Sequence, residues 1–164
     1  MKRRAGFTVV ELIITITIMA ILLTVSVVSL RNVQANARDE ERKTDITNLA
    51  MFFERKYTRD NGSYLPNYAV STNAYLESFF FTGVDRRDLR APGVESPNYS
   101  LKPATNAVQT TTGVQPQPTI NEYVFQPITT TDALCTATQA CRKFNLYYRE
   151  ETTNTVQMVT SKNQ

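Results

Sequence analysis

Nineteen consecutive residues, Leu12 to Leu30, carry no charge and include neither Gly nor Pro. Extending the run back to Phe7 gives 24 residues interrupted by one charge, Glu11. As a helix it measures roughly 36 Å, long enough to cross the hydrocarbon core of a bilayer. A core helix of so small a domain would keep a polar face, and this run has none, so membrane insertion is the reading it supports over burial in a soluble core. Thr15, Thr17, Thr24, Ser26 and Ser29 do not oppose that reading, since their hydroxyls can bond back to helix carbonyls. Lys2, Arg3 and Arg4 precede the run and mixed charges follow it, so the positive-inside rule leaves the N-terminus cytoplasmic and the remainder exported. Those three residues also account for the whole formal charge of +3, because the rest of the chain balances 15 basic against 15 acidic residues. No basic surface remains that would argue for nucleic acid. An ordinary secretory signal is the competing reading, with Ala35-Asn36-Ala37 as its cleavage site, but the apolar run exceeds what such signals carry.

Glu11 is costly near the end of a membrane helix unless it is protonated, reaches the interface or is paired. Cleavage between Gly6 and Phe7 would create an α-amino group at the head of the apolar run. A neighbouring copy shifted along the axis could present that cation to Glu11, and the pair would favour one stagger between copies. Gly6-Phe7-Thr8-Val9-Val10-Glu11, after a short basic leader and before an apolar run, resembles the class III signal of type IV pilins and pseudopilins. The resemblance implies cleavage after Gly6 by a prepilin peptidase, N-methylation of Phe7, and a role in assembly for Glu11. It further implies self-assembly into a helical filament with the apolar helices at its centre, through inner-membrane assembly machinery that draws subunits from lipid. Val28 stands where many members of the family have a helix-kinking proline.

Arg31 to Tyr57 lacks Gly and Pro and is rich in helix formers. Ile46, Leu49, Phe53 and Tyr57 form an apolar stripe at spacings of three and four. Arg38 to Asp45 reads as a solvated, mixed-sign surface in which Asp39 and Lys43 pair at i,i+4, or as a source of salt bridges between subunits. Asp60-Asn61-Gly62 stops the helix, with Gly62 or Asn61 in the left-handed conformation. The expectation is one helix of about fifty residues, its membrane half first and its amphipathic half second. The segment from Ala37 to Pro66 also resembles, more loosely, the region where pilin helices leave the membrane and pack on a globular head.

Beyond Pro66, Asn73 to Phe81 reads as a short helix with Tyr75, Phe79 and Phe80 partly buried. Arg86, Arg87 and Arg90 interleave with Asp85 and Asp88 as a local ion-pair network. The Pro-rich stretch near 91–119, uncharged from Thr105 to Thr119, reads as a surface loop or flexible insert. Three C-terminal runs alternate like strands: Tyr123, Phe125 and Ile128, with Pro127 marking an edge or a strand end; Phe144, Leu146 and Tyr148; and Val156, Met158 and Thr160. The polar residues 150–154 can join the last two runs as a hairpin. A small antiparallel sheet laid on the apolar stripe of the long helix gives an α+β fold, which the pilin resemblance also implies. The expected organisation is a leader at 1–6, a membrane or filament-core helix at 7–30, its amphipathic continuation at 31–61, and an exported head at 62–164.

Cys135 and Cys141 fall on the exported side, where oxidation is permitted. A disulfide between them is expected to stabilise by about 2 kcal/mol at most, since the loop is short; two reduced thiols are the alternative. Their spacing is not C-x-x-C, and it resembles, with a shorter loop, the C-terminal cysteine pair of many pilins. The chain has no His and only two Cys, which excludes His-based triads, His-ligated metals and four-cysteine sites. No phosphate-binding or nucleophile-elbow motif is present, Asp85, Asp88 and Glu95 lack EF-hand spacing, and no cofactor, small-molecule or nucleic-acid site is expected. Asn61-Gly62-Ser63 and Asn98-Tyr99-Ser100 match the short glycosylation acceptor motif. The sequence thus points to a structural filament subunit rather than an enzyme. The reading from another class is an uncleaved single-pass membrane protein whose exported domain binds a ligand.

Overall fold

A computed structural model of the chain describes residues 8–59, 62–80, 83–136 and 139–162. Gly6 and Phe7, the expected cleavage position, lie outside the described residues, as do Asn61 and Phe81. Helix α1 runs Val9–Arg59, a 3₁₀ turn Asn67–Val70, and helix α2 Asn73–Phe80. Four strands follow: β1 Leu101–Pro103, β2 Tyr123–Ile128, β3 Lys143–Arg149 and β4 Val156–Thr160. The chain divides into two compact units, Met1–Ala37 and Arg38–Gln164, and α1 supplies backbone to both.

In the first unit α1 is apolar and solvent-facing: Leu22 is 62% exposed and Ile14 52%. Its hydroxyls turn inward on their own helix. Thr15 donates to the Leu12 carbonyl at 2.8 Å, Thr24 to that of Ile21 at 2.7 Å and Ser26 to that of Leu22 at 2.8 Å. Each removes a polar group from the helix surface and leaves an apolar exterior, as membrane burial requires.

In the second unit the stripe Ile46, Leu49 and Phe53 is fully buried, and Phe53 sits at the centre of the core. Its ring stacks on Phe125 at a centroid separation of 4.5 Å and meets Phe144 at 5.2 Å and Phe80 at 5.7 Å. Phe125 and Phe144 come from the helix-facing side of the sheet, with Leu146 and Tyr148 beside them in the same core. Gly62 caps the helix with φ +75°, its N–H reaching the Tyr57 carbonyl at 3.0 Å. A side chain there would be strained in that conformation, and its Cβ would come within 2.9 Å of Arg142 Nη1.

The sheet order is β1-β2-β3-β4. The last three strands are antiparallel, but β1 joins parallel to β2 with Leu101 opposite Tyr123, so the sheet is mixed rather than purely antiparallel. Strand β2 is therefore central, not an edge. Pro127 is tolerated because β1 has already ended at Pro103, opposite Phe125, so its missing N–H removes no ladder bond. Its carbonyl accepts Cys135 N–H at 2.8 Å.

Every residue of β2 is buried, which one helix-covered face cannot achieve. The second face is covered by the stretch after β1. Val114, fully buried, packs with Ala104, Val124 and Tyr147 in a small second cluster. Gln126 secures this layer: its Nε2 donates to the carbonyls of Asn106 (2.9 Å) and Val108 (3.1 Å). Its Oε1 accepts Asn145 Nδ2 at 3.0 Å and the Tyr147 hydroxyl at 2.9 Å. The segment near 91–119, read as a surface loop or flexible insert, instead contains strand β1, and the stretch that follows it, 105–119, is partly core. Its amide-rich, uncharged composition supplies the polar network that lets loop backbone lie against a sheet.

Candidate processing and assembly site

Thr8, Val9, Val10 and Glu11 open α1 with reciprocal bonds. Thr8 N–H and Thr8 Oγ1 both donate to Glu11 Oε2 at 2.9 Å, and Glu11 N–H reaches Thr8 Oγ1 at 3.2 Å. This is a capping box, in which a Thr and a Glu three residues later satisfy each other's orphan amides at a helix start. The T-x-x-E spacing announced it in the sequence, where Glu11 otherwise stood only as an unpaired acid. Glu11 also places a negative charge at the positive end of the helix dipole. Only one of its two oxygens is used; Oε1 accepts no hydrogen bond among the described residues.

The mixed-sign run on α1 is only in part the wet surface expected: Glu40, Glu41 and Lys43 are exposed, but one side of the run is buried. Asp39 is 9% exposed, Arg42 1% and Asp45 6%. The expected Asp39–Lys43 pair does not form; Asp39 binds Arg42 Nη1 at 2.8 Å and Lys43 turns to Glu40 at 3.7 Å. Asp39 also accepts Glu151 N–H at 2.7 Å, Thr152 N–H at 3.0 Å and the Thr152 hydroxyl at 2.7 Å, so it holds the β3–β4 hairpin turn. Arg42 donates to the Ile120 carbonyl at 2.9 Å and, with Arg38, to Glu151. Burial opposes the Asp39 charge, but these donors hold its carboxyl below the usual range. The signal was available: positions 39, 42, 45, 46, 49 and 53 continue one helical face, so the apolar stripe extends into charged residues.

Asp45 accepts the Tyr123 hydroxyl at 2.7 Å inside this face. Burial pushes its carboxyl up to about 7; Asp88 and Glu41 add to the shift, while the Tyr123 hydroxyl and Arg42 oppose it. Burial likewise raises Asp88, which accepts Asn48 Nδ2 at 3.1 Å. Arg90 lies over the Tyr99 ring at 5.3 Å and Asp85 accepts Arg87 N–H, so the 85–90 cluster ties to α1 and to Tyr99 as well as to itself. Of the two glycosylation motifs, one begins at Asn61, outside the described residues; in the other Ser100 is buried and accepts Ala91 N–H.

Cys135 and Cys141 are both buried and joined by a disulfide, with Cα atoms 5.5 Å apart. Their backbone receives the chain as it leaves α1: Tyr64 N–H donates to the Cys141 carbonyl at 2.8 Å and Asn67 N–H to that of Cys135 at 3.1 Å. Among the described residues no group of three His, Cys, Asp or Glu is placed to hold a metal ion.

A long apolar helix, capped at its start by the Thr8–Glu11 pair and long enough to cross a membrane, together with a small α+β unit, has the pilin arrangement and fits a membrane-anchored precursor. Residues 1–27 match the family model of the prokaryotic N-terminal methylation motif, so the chain carries the prepilin-type signature of type IV pilins and pseudopilins. That family is structural rather than catalytic, and its motif implies processing by a prepilin peptidase followed by assembly. No curated protein and no solved structure matches the chain.

Proposed function

We propose that this chain is a filament subunit, cut after Gly6, N-methylated at Phe7 and polymerised through its apolar helix into a type IV pilus or a related filament. The observation that carries the reading is the coincidence of the methylation-motif match at 1–27 with an apolar helix whose first turn is built on Glu11. Before assembly the N-terminus lies in the cytoplasm, the helix in the membrane and the head on the far side. Glu11 Oε2 holds the helix cap, and Oε1 is left to accept the ammonium group of Phe7 from a neighbouring copy. That pair neutralises two charges inside an apolar bundle, where each alone is costly. The bundle replaces lipid contacts by helix–helix contacts, so extraction from the membrane proceeds only as fast as neighbours arrive.

Intact mass and N-terminal sequencing of the mature protein test the processing step. Mature chains begin at methyl-Phe7; chains beginning at Met1 reject it, and a start at Arg38 indicates an ordinary secretory signal. Glu11→Ala separates anchoring from assembly. The variant inserts in membranes normally but yields at least about tenfold less filament, in line with an uncompensated charge in an apolar setting. Filament yield equal to wild type rejects the role given to Glu11.

A further inference from the structure

One stripe of α1 has its charge sorted to opposite ends. Positions 41, 45, 48, 52, 55 and 59 share a helix face. In the middle of the stripe Asp45 is buried, Asn48 is bonded to Asp88, and Phe52 stacks on Phe80 at 5.0 Å. At one end Glu41 is exposed and makes no hydrogen bond or ion pair among the described residues. At the other, Arg55, Lys56 and Arg59 line a groove of about 270 Å³ floored by Phe52, Phe79 and Gly83. Arg59 is exposed and has no partner among the described residues, and Arg55 makes only a 3.4 Å contact to the Gly83 carbonyl. Glu54, the acid of that turn among the described residues, faces elsewhere, accepting the Tyr64 hydroxyl at 3.0 Å and Lys162 N–H at 2.8 Å.

Glu41 and Arg59 stand about five helical turns apart, roughly 27 Å along a single helix. They cannot meet within one copy. Two copies offset by that distance bring them together, and a contact between two different patches of the same molecule propagates as an open helical polymer wherever its rotation does not close a ring. We infer that the Arg55–Lys56–Arg59 groove receives the Glu41 turn of a second copy of this chain, as a polar inter-subunit clasp outside the membrane. The inference rests on the filament reading and adds to it a second contact, independent of Glu11. Exposed charges contribute little per pair, but reversing one sets like charges face to face at every repeat of the interface.

The experiment uses the full chain, processed and assembled in its own membrane, with filament yield measured against the membrane pool. Glu41→Lys and Arg59→Glu each lower yield about tenfold, and the double exchange Glu41→Lys/Arg59→Glu restores it to within about threefold. Unchanged yield in both single variants overturns the clasp, as does a double exchange that assembles no better than the singles. Thermal unfolding of the detergent-solubilised variants at the wild-type midpoint shows that yield reports assembly; a lowered midpoint together with lowered yield counts against the clasp. Co-assembled Glu41→Cys and Arg59→Cys chains give a second, independent readout. An intermolecular cross-link in their filaments supports the contact, and filaments without one reject it. Wild-type chains that are never cut after Gly6 and never polymerise sink the filament reading and the clasp together. Wild-type filaments that tolerate both reversals sink the clasp alone. Filaments that retain an oligonucleotide through Arg59, with assembly unaffected by Arg59→Glu, assign the groove to nucleic acid instead.

Discussion

Asp39 accepts four donors, from Arg42, the two hairpin amides and the Thr152 hydroxyl, and this makes it the most heavily used side chain on α1. Replacing it with Ala leaves the buried Arg42 guanidinium with only the longer 3.3 Å carboxylate contact, to Glu151, and two amides without acceptors. The expected loss is about 3 kcal/mol in urea unfolding of the detergent-solubilised chain. A loss below about 1 kcal/mol means that water replaces the carboxylate at no great cost. Asp45 gives a pH signature of opposite sign to that of Asp39. Its folded value near 7 lies above the ordinary 3.8, so the folded state holds the proton more tightly. That contribution is complete below about pH 4 and is lost as pH rises toward 7, with Asp88 acting in the same direction. Asp39 and Glu151, both held low, contribute above their ordinary values and lose that contribution as pH falls. Stability therefore declines from about pH 4 to 7 in the wild type, and Asp45→Asn, which keeps an acceptor for Tyr123, flattens that decline. A wild-type profile already flat across this window refutes the assignment. The sequence hid these residues because a charge run was weighed by its composition. Its spacing of three carried the information: Asp39, Arg42 and Asp45 sit on the face that Ile46 and Leu49 continue.

At the scale of elements, what was legible depended on how local the pattern is. Helix α1 and strands β2, β3 and β4 each carry their signal within their own residues: an unbroken apolar run, a stripe at three and four, or alternation around Phe144, Leu146 and Tyr148. Strand β1 does not. It is three residues ending in a proline, and only its pairing with Tyr123 to Phe125, about twenty residues on, makes it a strand. The cover over the second face of the sheet was hidden for the same reason, since Val114 has meaning only against Val124 and Tyr147. The disulfide belongs to this scale because it braces the junction between α1 and the rest of the head. Changing both Cys135 and Cys141 to Ser should lower stability by about 2 kcal/mol. Amide exchange should rise most at Tyr64 and Asn67, whose N–H groups end on the two cysteine carbonyls. Exchange that rises evenly across the head argues against a local brace.

For the whole molecule, the division of apolar surface decides what each unit needs from its surroundings. In the first unit the described large apolar side chains between Val9 and Val33 are exposed, so water is a poor solvent for it. In the second, the stripe from Ile46 to Phe53 is closed over by α2 and the sheet, and Asp39 and Arg42 satisfy the first turns with the hairpin. The burial that stabilises the head thus lies within residues 38–164, whose core cluster is drawn from Ile46 onward. A fragment beginning at Arg38 should be soluble without detergent and unfold in one cooperative transition. Its midpoint should fall within a few degrees of that of the full chain in micelles, because deleting exposed surface removes no packing. The same fragment should neither bind membranes nor form filaments, since the groups assigned to both, from Phe7 to Leu30, are gone. Far-UV circular dichroism on heating and sedimentation velocity settle both points. A fragment that aggregates, or melts much earlier, would mean that the apolar helix stabilises the head as well as anchoring it, and that the two ends of α1 are one folding unit.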